Sequence, residues 1–171
     1  MHDKSEKVRR VSQLVVLSSL TIVLRVVFGA FPNIKPLTAI FLIVLSYFSL
    51  LESWILMILV MVGSGLLFGF GTVVLWQVLS FAFIQFIWWL AIGPFIKKES
   101  IPLWLQSLLA GILVFLYGLT ISFLSATQFG TSPIVFWLNG LVFDSLHAAS
   151  TVLCFIQLLI IFLGDFINEK N

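Results

Sequence analysis

The sequence predicts an all-α integral membrane protein, a six-transmembrane-helix bundle with both termini in the cytoplasm. Three observations carry that prediction: the composition, the spacing of the breaks between apolar stretches, and the placement of the basic residues. Of 171 residues, 61% are hydrophobic and only 9% charged, with a mean hydropathy of +1.18. A soluble domain carries roughly a quarter charged residues because its surface faces water. A chain this apolar would expose large sticky patches there, whereas lipid tails solvate outward-facing Leu, Ile, Val and Phe. One bundle accounts for the whole length, so residues 1–171 read as a single membrane domain.

A helix needs about 20 apolar residues to cross the hydrocarbon core, and the breaks leave six such stretches. The first, 12–30, ends at Phe31-Pro32-Asn33-Ile34-Lys35-Pro36, where two prolines remove backbone donors and resist continuation of the helix. Its basic start, Lys4, Lys7, Arg9 and Arg10, resembles a signal peptide. The apolar run is too long for one, however, and no small-x-small cleavage site follows, so it reads as a permanent span. The second stretch is 37–51, closed by a turn at Glu52, and the third is 53–70. Gly69-Phe70-Gly71-Thr72 breaks the chain before the fourth, 73–95, which Pro94 and Lys97-Lys98-Glu99 close. The fifth is 101–126, and a polar turn from Thr127 to Pro133 precedes the sixth, 134–163. No internal repeat is visible, which leaves an inverted-repeat transporter without support.

Orientation follows from the basic residues. Six crossings put both termini on one side with Glu52 and the Lys97 loop, and that side collects Lys4, Lys7, Arg9, Arg10, Lys97, Lys98 and Lys170. The other side has Lys35, with Arg25 nearby inside span one, so the bias makes the termini cytoplasmic. Trp54 and Trp104 at one face, and Trp76 and Trp137 at the other, suit an aromatic belt. The single cysteine, Cys154, reads as a small packing residue and permits no internal disulfide. Basic residues are few and most sit at the membrane boundaries, which argues against nucleic-acid binding.

Polar groups inside the spans need a reason, since each charge there costs at least ~2.5–3.5 kcal/mol on insertion scales. Arg25 in span one and Asp144 in span six are the two charges. An ion pair between them would neutralise both. His147 lies one helical turn from Asp144 on the same face. With Gln77, Gln85, Trp137 and Asn139 in spans four and six, and Asn33, Lys35 and Thr72 in the loops, these groups gather toward the outer half. That distribution suits a solute cavity opening outward. Two readings from other classes stand beside it: a structural assembly subunit held by an Arg25–Asp144 pair, and an intramembrane hydrolase using Ser64 and His147. Gly63, Gly65, Gly111 and Gly118 read as points of close helix packing. The chain has no G-x-x-x-x-G-K-[ST], hence no P-loop with which to hydrolyse ATP. It has no H-E-x-x-H either, and Val62 replaces a glycine of the rhomboid protease pattern ahead of Ser64-Gly65.

Three segments carry a resemblance to a known family: Arg25 followed by Phe31-Pro32-Asn33-Ile34-Lys35-Pro36-Leu37-Thr38-Ala39-Ile40; Phe68-Gly69-Phe70-Gly71-Thr72 leading to Trp76-Gln77; and Phe143-Asp144-Ser145-Leu146-His147-Ala148. Over essentially its whole length the chain resembles the substrate-binding S components of energy-coupling factor (ECF) vitamin transporters, within the cobalamin-type branch. The resemblance implies a subunit of an ABC importer in a prokaryotic cell membrane. It would capture a vitamin from outside, with cobalamin or a related corrinoid first and another vitamin or a queuosine precursor as alternatives. It implies as partners a membrane coupling protein and two cytoplasmic ATPases, with no cofactor of its own and no catalytic residue. Carried onto this sequence, the substrate site would comprise Arg25, Asn33, Lys35, Trp76, Gln77, Trp137, Asn139, Asp144 and His147. Two departures stand out. The docking face of helix one offers Ser12, Ser18 and Ser19 in place of an A-x-x-x-A pattern, and Thr72-Val73 replaces Pro-Trp after the second glycine of the third loop.

Overall fold

In the computed structural model, residues 2–168 are described, with side chains for 5–158 and 160. The Lys4 side chain and Lys170, both counted above for the inner face, lie outside that set. The described residues form helices and no strand: α1 (His2–Val27), α2 (Leu37–Tyr47), α3 (Leu50–Phe68), α4 (Thr72–Ile87), α5 (Gly93–Lys97), α6 (Leu103–Phe129) and α7 (Pro133–Asn168). Five stretches are long and apolar enough to cross a membrane: Ser5–Ala30, Leu50–Phe68, Thr72–Lys97, Leu103–Phe129 and Pro133–Leu158. The protein is thus a multi-pass helical membrane bundle.

Element α2 departs from the expected 37–51. Eleven residues at 1.5 Å each give about 16 Å, short of the roughly 30 Å hydrocarbon core. The helix stops at Tyr47 because Phe48 turns extended and Ser49 caps the next helix. The Ser49 side chain accepts from the Glu52 N–H while Glu52 Oε2 accepts from the Ser49 N–H at 2.8 Å. That reciprocal arrangement satisfies two otherwise orphaned donors. Glu52 therefore belongs to the first turn of α3 rather than to a turn between spans.

Every residue from Leu37 to Leu45 is buried, so α2 is the central helix, apolar all round because neighbours cover it on every side. Its direction is fixed by α1 and α3. Arg10 meets Glu52, Ile22 lies against Gly63, and Gly29 against Phe68, so α1 and α3 run parallel. The chain must then return through α2 between them. The later helices alternate as well: α4 and α6 are antiparallel, with Trp76 beside Gln128 and Phe81 beside Tyr117. So are α6 and α7, with Gly111 at Val152 and Gly118 at Asp144. Six helical runs thus alternate through the bundle, and α1, α3, α5 and α6 meet at one end, called here the terminal end. The opposite, loop end holds residues 28–36, 69–71 and 130–132.

The fourth run continues past Pro94. After Ile87 the helix widens into a π segment, Trp88–Ile92, in which the Gly93 N–H reaches back to the Trp88 carbonyl, and α5 then carries it to Lys97. Pro94 has no N–H to give, and its position in the first turn of α5 is where a missing donor costs least. Packing divides into two joined clusters. One is built on Phe41, Met57, Met61, Phe81 and Ile84, the other on Leu42, Ile43, Trp88, Leu113 and Phe155.

Candidate functional site

At the loop end, the chain leaves α1 through a short 3-10 turn, Phe28–Ala30, and reverses at Pro32-Asn33. Asn33 takes a left-handed backbone (φ 57°), a conformation Asn tolerates better than most residues. The reversal sends Ile34-Lys35-Pro36 over the bundle before α2 plunges into its centre. Beneath it lies a cavity of about 70 Å³ lined by Arg25, Asn33, Lys35, Leu37, Gln77, Phe81, Tyr117 and His147. Helices α1, α2, α4, α6 and α7 each contribute, so the site exists only in the assembled bundle.

Polar partners fix its shape. Arg25 donates to Gln77 Oε1 at 3.1 Å and points a second guanidinium nitrogen at Met61 Sδ, 2.7 Å away. Thr38 Oγ1 and His147 Nε2 are 2.8 Å apart, joining α2 to α7 in a fully buried bond. The floor is an aromatic chain: Phe41 meets Phe81 edge-on at 5.1 Å, Phe81 meets Tyr117 at 4.4 Å, and the Tyr117 ring stands edge-on to His147 at 5.6 Å. Lys35, in the loop above, is half-buried. Burial first, and the nearby Arg25 charge second, hold its ammonium below the ordinary lysine range. The cavity thus presents two cations, two amides and an imidazole over aromatic rings, and no carboxylate is part of its lining.

Five of the nine residues expected for the site meet here: Arg25, Asn33, Lys35, Gln77 and His147. The others are placed around it. Asp144 is buried on α7 with its carboxylate against Gly118, and its Oδ2 has no hydrogen-bond partner among the described residues. Trp137, two turns before it, turns its indole toward that carboxylate, and its N–H closes no bond elsewhere. Trp76 donates instead to Gln128 Oε1 at 2.9 Å, and Thr72 donates to the same oxygen at 2.8 Å. That trio ties α4 to α6 at the rim. Asn139 is exposed on the outer side of α7.

The expected Arg25–Asp144 ion pair is not formed, because Gln77 and Met61 take the guanidinium. Ser64 and His147 are not joined either. Ser64 Oγ is buried and donates back to the Val60 carbonyl at 2.5 Å, while His147 Nε2 meets Thr38. Sequence reasoning missed Tyr117, Phe81 and Thr38. Tyr117, one of only two tyrosines in the chain and set in the middle of a long apolar stretch, was the available signal. No protein-family model, curated protein or solved structure matches the chain.

Proposed function

We propose that this chain is the solute-capturing membrane subunit of an importer of the energy-coupling factor type, without catalytic activity of its own. The observation that carries the reading is the cavity itself. A half-buried guanidinium oriented by Gln77, a roofing lysine and a buried histidine held by Thr38 converge under a short proline-bounded loop. Such a group of convergent polar side chains over aromatic walls is how small-molecule sites are built. The six alternating runs are read as six membrane crossings, the second made by the 28–36 segment together with the short α2, with the terminal end facing the cytoplasm. Arg9, Arg10, Lys97 and Lys98 stand at that end, as the positive-inside bias requires. The cavity then faces outward. Energy would come from partners, a coupling protein and two ATPases, as the family resemblance implies.

Cobalamin or a related corrinoid is the substrate this resemblance favours. A corrinoid needs far more room than about 70 Å³, since ligand pockets run from roughly 300 to 1,000 Å³. Its binding would require the 28–36 and 69–71 loops to part. The cavity's volume and its two cations favour a second reading, a compact vitamin or precursor carrying a carboxylate or phosphate. Uptake by proteoliposomes tests the proposal. With the coupling protein and both ATPases, the chain should import labelled cobalamin or an anionic vitamin in an ATP-dependent way. ATP-independent uptake, or no uptake of any vitamin by assembled complexes, contradicts it.

A further inference from the structure

A second concavity lies at the terminal end, on the lipid-facing side between α1 and α2. It encloses about 560 Å³ and is lined by Arg9, Arg10, Ser12, Gln13, Val16, Leu17, Ile43, Val44, Tyr47 and Phe48. The order of these residues along α1 matters more than the volume. Arg9, Ser12 or Gln13, and Val16 follow at helical spacing, so they form one stripe. Along it the surface passes from two guanidiniums, through a hydroxyl and an amide, to Val16 and Leu17. The buried Ile43 and Val44 of α2, 1% and 2% exposed, form the floor. An anionic head, a polar linkage and an apolar tail would meet those levels in that order.

From this gradient we infer that the groove is a binding site for an anionic phospholipid of the inner leaflet. The phosphate sits at Arg9 and Arg10, the ester oxygens lie level with Ser12 and Gln13, and one acyl chain lies against Val16, Leu17, Ile43 and Val44. The charge inventory selects an anionic head over a zwitterionic one. Arg10 is shared with Glu52 at 3.2 Å, whereas Arg9 has no acidic partner among the described residues and supplies an uncompensated positive charge. A partner helix is a poorer occupant, because it would have to bring a carboxylate to the mouth and a continuous apolar face beneath it. The inference rests on the membrane reading and, for the choice of leaflet, on the proposed orientation, and it stands whether or not the loop-end cavity binds a vitamin.

The test uses the full chain, delipidated in detergent, with phosphatidylglycerol and phosphatidylcholine of the same acyl chains as probes and native mass spectrometry as readout. Phosphatidylglycerol should bind in preference to phosphatidylcholine. Arg9→Gln should weaken it by about fivefold, the worth of one basic side chain near an anionic surface, whereas Lys98→Gln, at the same end but outside the groove, should not. Val16→Trp, which fills the apolar part, should lower the occupancy of both lipids. Glycerol phosphate should fail to compete, because it lacks the tail that the groove covers. Equal binding of the two lipids overturns the inference, as does an Arg9→Gln protein that keeps its preference or full competition by glycerol phosphate.

Discussion

Asp144 and Gly118 show how closely α6 and α7 approach. A Cβ placed on Gly118 would overlap the Asp144 carboxylate, whereas one placed on Gly140 meets nothing within 4 Å. Gly118→Ala should therefore destabilise the folded protein by about 1–3 kcal/mol, the usual cost of overpacking. Gly140→Ala should be neutral or slightly stabilising, since alanine is the better helix former. Thermal unfolding in detergent checks the pair, and equal effects would contradict the placement of Asp144. Lys35 allows a pH test. Burial and then Arg25 lower its proton affinity, so its charge is lost on the acid side of the ordinary lysine value. With Lys35 holding an anion, affinity should be full below that lowered pKa and fall as pH rises through it. Lys35→Met should start weaker and remain flat over the same range. Titrations at increasing pH measure this.

Residue type located the polar cavity, but helix phase decided its membership. Arg25, Gln77 and His147 were conspicuous in the sequence because polar side chains are rare in spans, and all three converge. Depth along the helix groups Asn139 with them. Five residues separate it from Asp144, however, which at 3.6 residues per turn puts it on a different face. Trp76 adjoins Gln77 in sequence but is rotated about 100° from it, toward Gln128. Tyr117 and Phe81 could not be told from ordinary packing residues until α4, α6 and α7 were brought together.

For the elements, legibility followed the strength of the breaks. Pro32, Pro36, Gly69 and Gly71 separate helices where the sequence places them, whereas the turn expected over Thr127–Pro133 narrows to 130–132, because α6 continues to Phe129 and α7 begins at Pro133. Gly130 ends α6 in the left-handed conformation (φ 63°) while the Thr131 N–H returns to the Ala126 carbonyl. Pro94 misleads because a π turn absorbs it, a rearrangement that local propensity does not encode. The end of α2 was hidden for another reason. Its stop depends on Ser49 and Glu52 capping the next helix, within a run whose hydropathy hardly changes. Ser49→Ala removes one side of that cap and should cost about 1 kcal/mol. A parallel Glu52→Gln variant should lose less, since its amide can still accept from the Ser49 N–H, although it weakens the contact with Arg10. Denaturation of both variants in the same detergent compares them, and an unaffected Ser49→Ala would contradict the capping box.

At the scale of the molecule, the bundle separates two chemistries. Basic side chains stand at the terminal end, and a small cationic cavity lies under the loops of the other. The parallel packing of α1 and α3 makes α2 the return path, and hence gives an even number of runs. Cysteine labelling of whole cells tests the orientation drawn from it. In a Cys154→Ser background, Phe31→Cys, on an exposed loop residue, should react with a membrane-impermeant maleimide, and Lys98→Cys should react only after permeabilisation. The opposite pattern would invert the protein in the membrane and put the cavity on the inner side.

The central claim is that the loop-end cavity is a solute site in which Arg25 holds the ligand. Calorimetric titration of the purified protein, with cobalamin and a panel of anionic vitamins run against wild type and Arg25→Ala, tests it most directly. The account predicts saturable binding of one of these solutes by wild type. Arg25→Ala should bind it roughly ten- to hundredfold more weakly, the worth of a charge-assisted hydrogen bond, while unfolding at a similar temperature. Unchanged affinity in a folded Arg25→Ala protein, or no binding of any of these solutes by folded wild type, would contradict it.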